Sequence, residues 1–281
     1  MMVGVVDVGG GLRGVYGAGV LDRCLDDGIC FDYCIGVSAG SANIASYTAG
    51  QKGRNYRFFS DYTFRKEYMS LSNFLHSGSY LGLDYIYSTL TNQGGEDPLD
   101  FKTMSEFNGV IKTVATNALT GQPQYFGIDD YSLNDYGVLK ASCALPVVCK
   151  PVSVGGVAYF DGGIADPVPI EKAFTDGCDK LVLILTKPLA QIPEKNPRNE
   201  LTARLLKRNY PKLSESLCLI QSRYNDSIRK ALEYQKQGRV LIIAPDDCCG
   251  MKTLTKDREK IDRLYTKGYE NAAKIKEFVR L

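Results

Sequence analysis

The chain has 281 residues, 44% of them hydrophobic and 23% charged, which is usual for a globular protein and excludes disordered, collagen-like and coiled-coil classes. Its 34 basic and 32 acidic residues give a net charge of +2, so the charge pattern indicates neither nucleic-acid binding nor electrostatic capture by an anionic membrane. The length is near the upper limit for one hydrophobic core, which leaves one large α/β domain or two smaller domains open.

Cysteine usage and hydropathy indicate the cellular compartment in which the protein is found. The nine cysteines are an odd number without Cys-x-x-Cys spacing, which predicts free thiols in a reducing compartment. The apolar N-terminus, Met1 to Val8, has no basic leader, and no run of 18 apolar residues occurs, so neither a signal peptide nor a membrane-spanning helix is predicted. No calcium-loop motif or His/Cys ligand cluster occurs, so we expect no metal. The prediction is a cytoplasmic protein.

Strand and helix patterns alternate along the first fifty residues. The Val-rich segment Met2–Val8 predicts a buried strand, and apolar residues at helical spacing follow from Val15 to Leu25. Ile29–Val37 predicts a second strand, and residues 38–50 predict a second helix. A strand, a glycine-rich turn and a helix, repeated in this way, are typical of a parallel sheet with crossover helices.

The later part of the chain continues this alternation after an irregular, aromatic-rich segment over 51–109. The predicted elements are a strand over 110–116, a helix over 133–142, a hairpin over 152–160, a helix over 170–176, a strand over 180–186, helices over 201–209 and 214–237, a strand over 240–244 and a helix from about 257. Three prolines fall within 187–199, which is the best linker candidate. Because the alternation resumes beyond it, we interpret 187–281 as an extension packed on the same domain.

The segment Gly36-Val37-Ser38-Ala39-Gly40 has the pattern Gly-x-Ser-x-Gly between a predicted strand and a predicted helix. In that setting the serine lies on a sharp turn with its Oγ exposed, and small neighbours allow the turn to close. The N-terminus of the following helix favours negative charge on that oxygen. Ser38 is therefore a candidate nucleophile, although a serine that only caps the helix would give the same letters.

The segment Gly9-Gly10-Gly11-Leu12-Arg13-Gly14 follows the first predicted strand. Consecutive glycines at a helix start can present backbone N–H groups to an oxyanion or a phosphate. The same letters satisfy the dinucleotide pattern Gly-x-Gly-x-x-Gly, but the second strand ends in Ser38 rather than in the acid that binds a ribose, so this interpretation is the weaker one. A third interpretation is that the glycines only permit close packing of strand and helix.

The segment Asp161-Gly162-Gly163 follows the predicted hairpin and would by itself indicate only a turn. It matters because a nucleophilic serine needs a base. The only histidine, His76, lies among irregular aromatics, and its position between Ser38 and Asp161 does not fit the order serine, acid, histidine of a nucleophile-elbow hydrolase. We therefore predict that His76 is not the base.

The aromatic segment 54–87 has two interpretations. Its rings fill a core, as aromatic side chains usually do, and this is the one we favour for most of them. Alternatively, some of them line an acyl pocket or form an interfacial lid, with basic side chains at the level of lipid headgroups. The basic residues in question are Arg54, Arg57, Arg65 and Lys66.

The three glycine motifs in this order, with the segments 141–146 and 159–169, resemble the patatin-like phospholipase family over about residues 3–186. The resemblance implies a three-layer α/β/α sandwich with a mostly parallel central sheet, and a lipid acyl hydrolase that uses a Ser–Asp dyad without a cofactor. The tail from about residue 200 resembles the C-terminal extension of bacterial members.

Matched residue by residue, the resemblance assigns Ser38 as the nucleophile and Asp161 as the base. It assigns the oxyanion hole to backbone N–H groups of Gly10, Gly11 and Arg13. The remaining motif glycines are Gly9, Gly14, Gly36, Gly40, Gly162 and Gly163.

The expected partner is a lipid or another acyl ester. The protein could contact a membrane peripherally, and binding of nucleic acid is not expected. Two other function classes stay open: a non-catalytic lipid- or acyl-binding protein on the same fold and, less favoured, a dinucleotide-binding enzyme.

Overall fold

The computed structural model describes residues 1–189 and 197–280. The strands are β1 (Val3–Asp7), β2 (Tyr33–Val37), β3 (Val110–Asn117), β4 (Pro123–Phe126), β5 (Val152–Val154), β6 (Val157–Asp161), β7 (Lys180–Ile184) and β8 (Val240–Ile243). The α-helices are α1 (Val15–Asp26), α2 (Ala39–Thr48), α3 (Arg54–Ser60), α4 (Leu71–Ser77), α5 (Phe101–Ser105), α6 (Gly137–Ser142), α7 (Ile170–Thr175), α8 (Pro197–Leu206), α9 (Pro211–Lys236), α10 (Arg258–Asn271) and α11 (Ile275–Arg280). Short 3-10 helices include Gly11–Gly14 and Gly162–Ile164, and Tyr85–Leu90 is a π-helix.

The strands form one sheet in the order β5-β6-β3-β2-β1-β7-β8, with β4 also paired to β3. The five strands from β3 to β8 in this order are parallel, whereas β4, β5 and β6 add antiparallel pairs at one side. The predicted mostly parallel sheet is therefore confirmed.

Helices cover both faces of this sheet. Successive side chains of a strand point to opposite faces, so Val5 packs in one apolar cluster and Val6 in the other. Side chains of α1, α2 and α10 belong to the cluster of Val5, and those of α7 and α9 include members of the cluster of Val6. The predicted three-layer α/β/α fold is confirmed. None of the described helices is long and apolar enough to cross a membrane.

The central strand β3 determines where the ends of β2 and β6 meet. Its residues 113–116 pair with β4 along one edge, so β2 and β6 both lie along the other edge. On that edge Val37, the last residue of β2, is opposite Val114, and Asp161, the last residue of β6, is opposite Ala115. The residues that follow Val37 therefore start beside Asp161.

Several predicted boundaries were wrong. The second strand begins at Tyr33 rather than Ile29, because Gly28 at φ +65° ends α1 in a turn that continues to β2. The helix expected over 133–142 begins at Gly137, since Asn134 has φ +67°, which a right-handed helix excludes. The edge strand β4 was missed because it is short and begins with a proline.

The irregular segment 51–109 contains α3, α4, α5 and the π-helix. Of the predicted linker 187–199, residues 190–196 lie outside the described residues, and Pro197 already begins α8. The two helices beyond it extend over 197–206 and 211–236 rather than 201–209 and 214–237. The C-terminal helix is divided by a 3-10 turn at Ala272–Lys274.

Candidate active site

Ser38 lies in the tight turn between β2 and α2. Its backbone has φ 55° and ψ −130°, an unusual conformation for a residue with a side chain, and such strain is often found at functional sites. The turn is held by Ser142, whose Oγ accepts the Ser38 N–H at 2.9 Å and donates to the Val114 carbonyl at 2.7 Å. Because a Cβ atom at Gly40 would lie 2.2 Å from the Asp7 carbonyl oxygen, only glycine allows this approach.

Asp161 is buried at the end of β6. Its Oδ1 accepts the N–H of Gly163 at 2.9 Å, and its own N–H donates to the Ala144 carbonyl at 2.9 Å. Its Oδ2 is buried and accepts no hydrogen bond of good geometry from the described residues. Burial raises the pKa of this carboxyl to about 6, while the nearby Ser38 hydroxyl and the Gly163 N–H act in the opposite direction.

The hydroxyl of Ser38 is thus near the carboxyl of Asp161 but not in an ideal hydrogen bond with its Oδ2. Catalytic hydrogen bonds are often long or poorly aligned before substrate binds, so this geometry is compatible with proton transfer from Ser38. The sequence placed these two residues more than a hundred positions apart, and the fold brings them together at one edge of β3.

The glycine-rich turn after β1 has left-handed φ values of +63° at Gly9, +123° at Gly10 and +60° at Gly11. The N–H of Gly9 donates to Asp7 Oδ1 at 2.9 Å, and the N–H of Leu12 donates to the Thr253 carbonyl at 2.8 Å. Between them, the N–H groups of Gly10 and Gly11 have no acceptor among the described residues. Two neighbouring free donors therefore border the cavities beside Ser38.

The other motif glycines mainly allow close approach of backbone segments. A Cβ atom at Gly9 would lie 2.3 Å from the Val37 carbonyl oxygen, and one at Gly162 would lie 2.2 Å from that of Val114. Gly14 and Gly36 are restricted in the same way by α2, and the Cβ position of Gly163 is 3.1 Å from Asp161 Oδ1. A side chain at any of these glycines would therefore crowd a neighbouring segment of the chain.

A narrow apolar cavity of about 70 Å³ begins at Ser38. It lies among α2, α3, the aromatic segment and the loop after α6. Apolar residues dominate its wall, and they include Phe58, Phe59, Met69, Leu83, Ile86 and Tyr87. This lining is suited to a hydrocarbon chain.

A second cavity, of about 770 Å³, is also lined by Ser38 and is lined in addition by Asp161. Gly11, Leu145, Thr253 and Leu254 border both cavities. The second cavity is more polar, and α8 and α9 contribute to its wall. Ser38 therefore lies where an almost wholly apolar cavity meets a larger and more polar one, which is called the polar cavity below.

The aromatic segment 54–87 contributes both to the core and to the wall of the apolar cavity. Phe58, Phe59 and Tyr87 are buried core residues and at the same time line the apolar cavity. The alternative that places basic side chains at headgroup level does not hold for Arg54, which is buried and donates to Ser46, Thr91 and the Asp97 carbonyl.

Two other arginines of this segment are held by carboxylates. Arg57 forms an ion pair with Asp97 at 2.7 Å, and Arg65 forms one with Glu96 at 2.6 Å. These guanidinium groups are therefore already occupied within the protein.

His76 is exposed on α4, where its Nδ1 is 2.8 Å from the Ser72 carbonyl oxygen. It lines neither of the cavities that border Ser38. No group of three or more His, Cys, Asp or Glu side chains is placed to bind a metal within residues 1–189 and 197–280.

Sequence reasoning missed several residues that shape the site. Ser142 lies within the segment 141–146 that contributes to the family resemblance, but nothing in the neighbouring sequence indicates that it holds the Ser38 turn. Asn43 was missed too, although it donates to Asp7 Oδ2 at 2.8 Å and to the Gly14 carbonyl at 2.9 Å. Thr253 is 242 positions beyond Gly11 (253 − 11), and no local pattern could have indicated it.

Comparison with family models gives two matches. Residues 8–174 match the model described as patatin-like phospholipase, and residues 210–279 match a domain of unknown function, DUF6363. The first match covers more than half of the chain.

Individual relatives were found as well. The chain is 31% identical over 191 residues to the uncharacterized protein YjjU of Escherichia coli, a match that covers 66% of the chain and 52% of YjjU. It is 25% identical over 202 residues to lysophospholipase NTE1 of Candida albicans, covering 70% of the chain and 14% of that protein. The matches thus span about half of the first relative and a small part of the second. The crystal structure of VipD from Legionella pneumophila aligns with 98% of the chain and 66% of VipD, at a TM-score of 0.49 and 15% identity.

Proposed function

Because the chain belongs to the patatin-like phospholipase family, we propose that it hydrolyses a carboxylic ester of a lipid, with Ser38 as the nucleophile and Asp161 as the base. One observation carries the proposal. The strained Ser38 is beside a buried carboxyl with a spare acceptor oxygen, at the junction of an apolar and a polar cavity. Each part of that arrangement has a role in acyl transfer.

The reaction begins when Ser38 Oγ attacks the ester carbonyl carbon and Asp161 Oδ2 accepts the hydroxyl proton. The carbonyl oxygen becomes an oxyanion, and the free N–H groups of Gly10 and Gly11 donate to it. The resemblance adds the Arg13 N–H to this set. Asp161 then returns the proton to the departing alcohol, which leaves an acyl group on Ser38.

The second half of the reaction releases the acid. Water enters from the polar cavity and gives a proton to Asp161 as it attacks the acyl carbon. The C–O bond to Ser38 breaks, the proton returns to Ser38 Oγ, and the carboxylic acid leaves and ionises in water. Because every proton moves between Ser38, Asp161, the departing alcohol and water, the scheme needs no cofactor or metal.

The two cavities determine the orientation in which the ester binds. The acyl chain enters the apolar cavity, and the alcohol part of the ester occupies the larger, polar cavity. The ester carbonyl then stands between Ser38 and the free glycine donors.

The proposed contact with a lipid surface is through α4. Leu71, Phe74 and Leu75 are exposed on this helix, with Leu75 82% exposed. The chain leads from α4 to Met69 on one side and Leu81 on the other, and both line the apolar cavity. A lipid aggregate that covers these side chains would lie next to that cavity.

Labelling with a fluorophosphonate tests the hydrolase proposal, because only an activated serine reacts. We expect one adduct, mapped by mass spectrometry to Ser38 and absent from Ser38→Ala. We also expect hydrolysis of a short-chain p-nitrophenyl ester that survives EDTA. A folded protein that neither reacts nor hydrolyses would instead be an acyl-binding protein.

The lipid contact is tested by comparing rates on vesicles with rates on a monomeric ester. In the double variant Leu71→Asn and Leu75→Asn, we expect the ratio of vesicle rate to monomer rate to fall about fivefold or more. Leu133→Asn is the matched control, since Leu133 is exposed far along the chain from α4 and lines neither cavity. An unchanged ratio in the double variant would contradict the contact.

A further inference from the structure

The two cavities that meet at Ser38 differ greatly in size. The apolar cavity has a volume of about 70 Å³, and the polar cavity has one of about 770 Å³. An apolar cavity of about 150 Å³ holds one benzene molecule, so on this scale the apolar cavity has room for roughly three carbon atoms and the polar cavity for roughly thirty. The two sides of a bound ester would therefore have very different sizes.

The apolar cavity follows the first turns of α2. Ser38, Ala39, Ala42 and Asn43 line it, whereas Ser46, on the next turn of the helix, does not. Because an α-helix rises about 1.5 Å per residue, Asn43 lies about 7.5 Å along the axis from Ser38. The cavity is thus short as well as narrow.

The side chain of Arg54 closes the far end of this cavity. It is buried, lines the cavity, and donates to Ser46 Oγ at 3.0 Å, to Thr91 Oγ1 at 3.0 Å and to the Asp97 carbonyl at 2.9 Å. The guanidinium lies 4.5 Å from the centre of the Phe58 ring, which also lines the cavity. Displacing a buried charge from its hydrogen-bond partners is costly, so a longer hydrocarbon chain would not move this floor.

The side walls are held by further contacts between buried side chains. The Tyr87 hydroxyl lies 3.1 Å from Cys143 Sγ, and the rings of Phe58 and Tyr62 meet edge to face at 5.1 Å between their centres. Close-packed side chains of this kind leave little free space behind them. The cavity therefore cannot lengthen unless part of the core repacks.

The polar cavity has an apolar wall as well. Leu217, Ile220 and Tyr224 line it from one face of α9, at spacings of three and four residues. Leu145 and Val148 line it from the loop after α6. A large cavity with polar and apolar walls is suited to an amphipathic molecule.

We propose that the substrate is an ester of a short-chain acid, with an acyl group of about four carbon atoms, and a large amphipathic alcohol. The inference rests on the proposed hydrolase, from which it takes the orientation of the ester. Arg54 and Phe58 limit the length of the acyl group, because they form the floor of the apolar cavity. One methylene group too many in an apolar pocket changes kcat/KM about 10–200-fold, so the limit should be sharp.

A pair of isomeric esters measures this limit directly. Octyl butanoate and butyl octanoate contain the same atoms and differ only in which side of the ester is long. We compare kcat/KM for the two in identical detergent micelles by titrating the released acid. The wild type should prefer octyl butanoate by about tenfold or more. Equal values, or a preference for butyl octanoate, would overturn the limit and leave the hydrolase standing.

Filling the apolar cavity should shorten the acceptable acyl group further. Ala42 is half-buried on α2 and lines the cavity, so the larger side chain of Ala42→Leu would occupy part of its volume. We expect kcat/KM to fall about tenfold or more for octyl butanoate and much less for octyl acetate. Ala273→Leu is the matched control, because Ala273 is exposed and lines neither cavity. An equal loss on both esters would contradict the limit.

Removing part of the floor should have the opposite effect. In Phe58→Ala, the preference for octyl butanoate over butyl octanoate should fall about tenfold. Phe31→Ala is the matched control for the loss of a core ring, since Phe31 is buried against Tyr47 and lines neither cavity. Phe58→Leu is the milder variant and should change the preference in the same direction. A preference that stays at the wild-type value in a folded Phe58 variant would show that this ring sets no limit.

Binding without turnover separates this inference from the proposed hydrolase. In Ser38→Ala protein, calorimetry below the aggregation concentrations should show tighter binding of octyl butanoate than of butyl octanoate. Because the two isomers carry the same apolar area, the difference reports the fit to the cavities. This result would support the limit even for a protein that hydrolyses nothing. Equal affinities would overturn the limit, whether or not the wild type is a hydrolase.

Discussion

Asp7 and Asp161 are two buried aspartates at the carboxyl ends of strands in the same sheet. Burial raises the pKa of each carboxyl to about 6. They differ in hydrogen bonding: Asp7 accepts from Gly9 N–H and from Asn43 Nδ2, one donor on each oxygen, whereas Asp161 leaves Oδ2 without a good donor beside the Ser38 hydroxyl. A raised pKa therefore does not distinguish a base from a structural acid, but a spare acceptor beside a nucleophile does.

The largest effect should come from removing the spare acceptor. Asp161→Asn keeps an oxygen for the Gly163 N–H but has no basic atom for the Ser38 proton, so we expect kcat to fall about 10²–10⁴-fold. The measurement is steady-state hydrolysis of a p-nitrophenyl ester, with folding checked by circular dichroism. Asp7→Asn is the matched control and should lose much less activity. Equal losses in two folded variants would remove the distinction between these carboxyls.

The pH profile should identify which carboxyl is titrated in catalysis. Because Asp161 must be ionised to accept a proton, kcat/KM should rise with pH through about 6 and fall about tenfold for each pH unit below it. Asp7 has the same raised pKa, so the profile of the wild type alone cannot show which of the two carboxyls causes the acidic limb, the rise of kcat/KM through about pH 6. The limb should persist in Asp7→Asn. Its disappearance there would assign it to Asp7 instead.

The two variants should also differ in stability. The pKa of Asp161 is higher in the folded protein than its ordinary value of 3.8, so the carboxyl favours folding most below about pH 4, and this contribution is lost as pH rises through about 6. At pH 8 Asp161→Asn should therefore raise the free energy of unfolding by at most about 3 kcal/mol, and by less at pH 5.

Asp7→Asn is relieved of the same burial penalty, but its new amide would face the Asn43 amide and leave a donor unmet at a cost of about 1–3 kcal/mol, so at pH 8 it should be less stable than Asp161→Asn. Urea unfolding at the two pH values checks both variants. A destabilised Asp161→Asn at pH 8 would mean that Oδ2 is better solvated than its burial indicates.

The smallest effect is expected at His76, the histidine on α4. It is exposed on α4 and lines neither cavity beside Ser38, so His76→Ala should change kcat/KM by no more than about twofold. The assay is the same ester hydrolysis. A folded His76→Ala as inactive as Ser38→Ala would restore a triad and would make Asp161 an orienting acid.

The sequence predicted those features that depend on local patterns. Val-rich runs, a glycine hairpin and helical spacing are local, and they gave the strands and helices around Ser38 and Asp161. The pairing of these two side chains needed the family resemblance, because a single sequence does not reveal that β2 and β6 share one edge of β3. The edge strand β4, which begins at Pro123, had too few residues to show a period.

The rest of the site depends on tertiary contacts. Ser142 holds the Ser38 turn through a hydroxyl that resembles any other in a helix, and the orphaned Oδ2 of Asp161 is a property of packing alone. Arg13 was assigned through its backbone N–H, whereas its side chain lies in a chamber completed by Lys187 and Tyr224. No pattern in the sequence brings these three together.

The contact between Thr253 and the glycine turn links the site to the C-terminal region of the chain. The Thr253 carbonyl accepts the Leu12 N–H at 2.8 Å, next to the free donors of Gly10 and Gly11, although residue 253 lies outside the segment 8–174 that matches the family model. A recombination or truncation at that boundary would keep Ser38 and Asp161 and yet remove the hydrogen bond from the Leu12 N–H that holds the turn with Gly10 and Gly11. The shape of the glycine turn therefore depends on both matched regions of the chain.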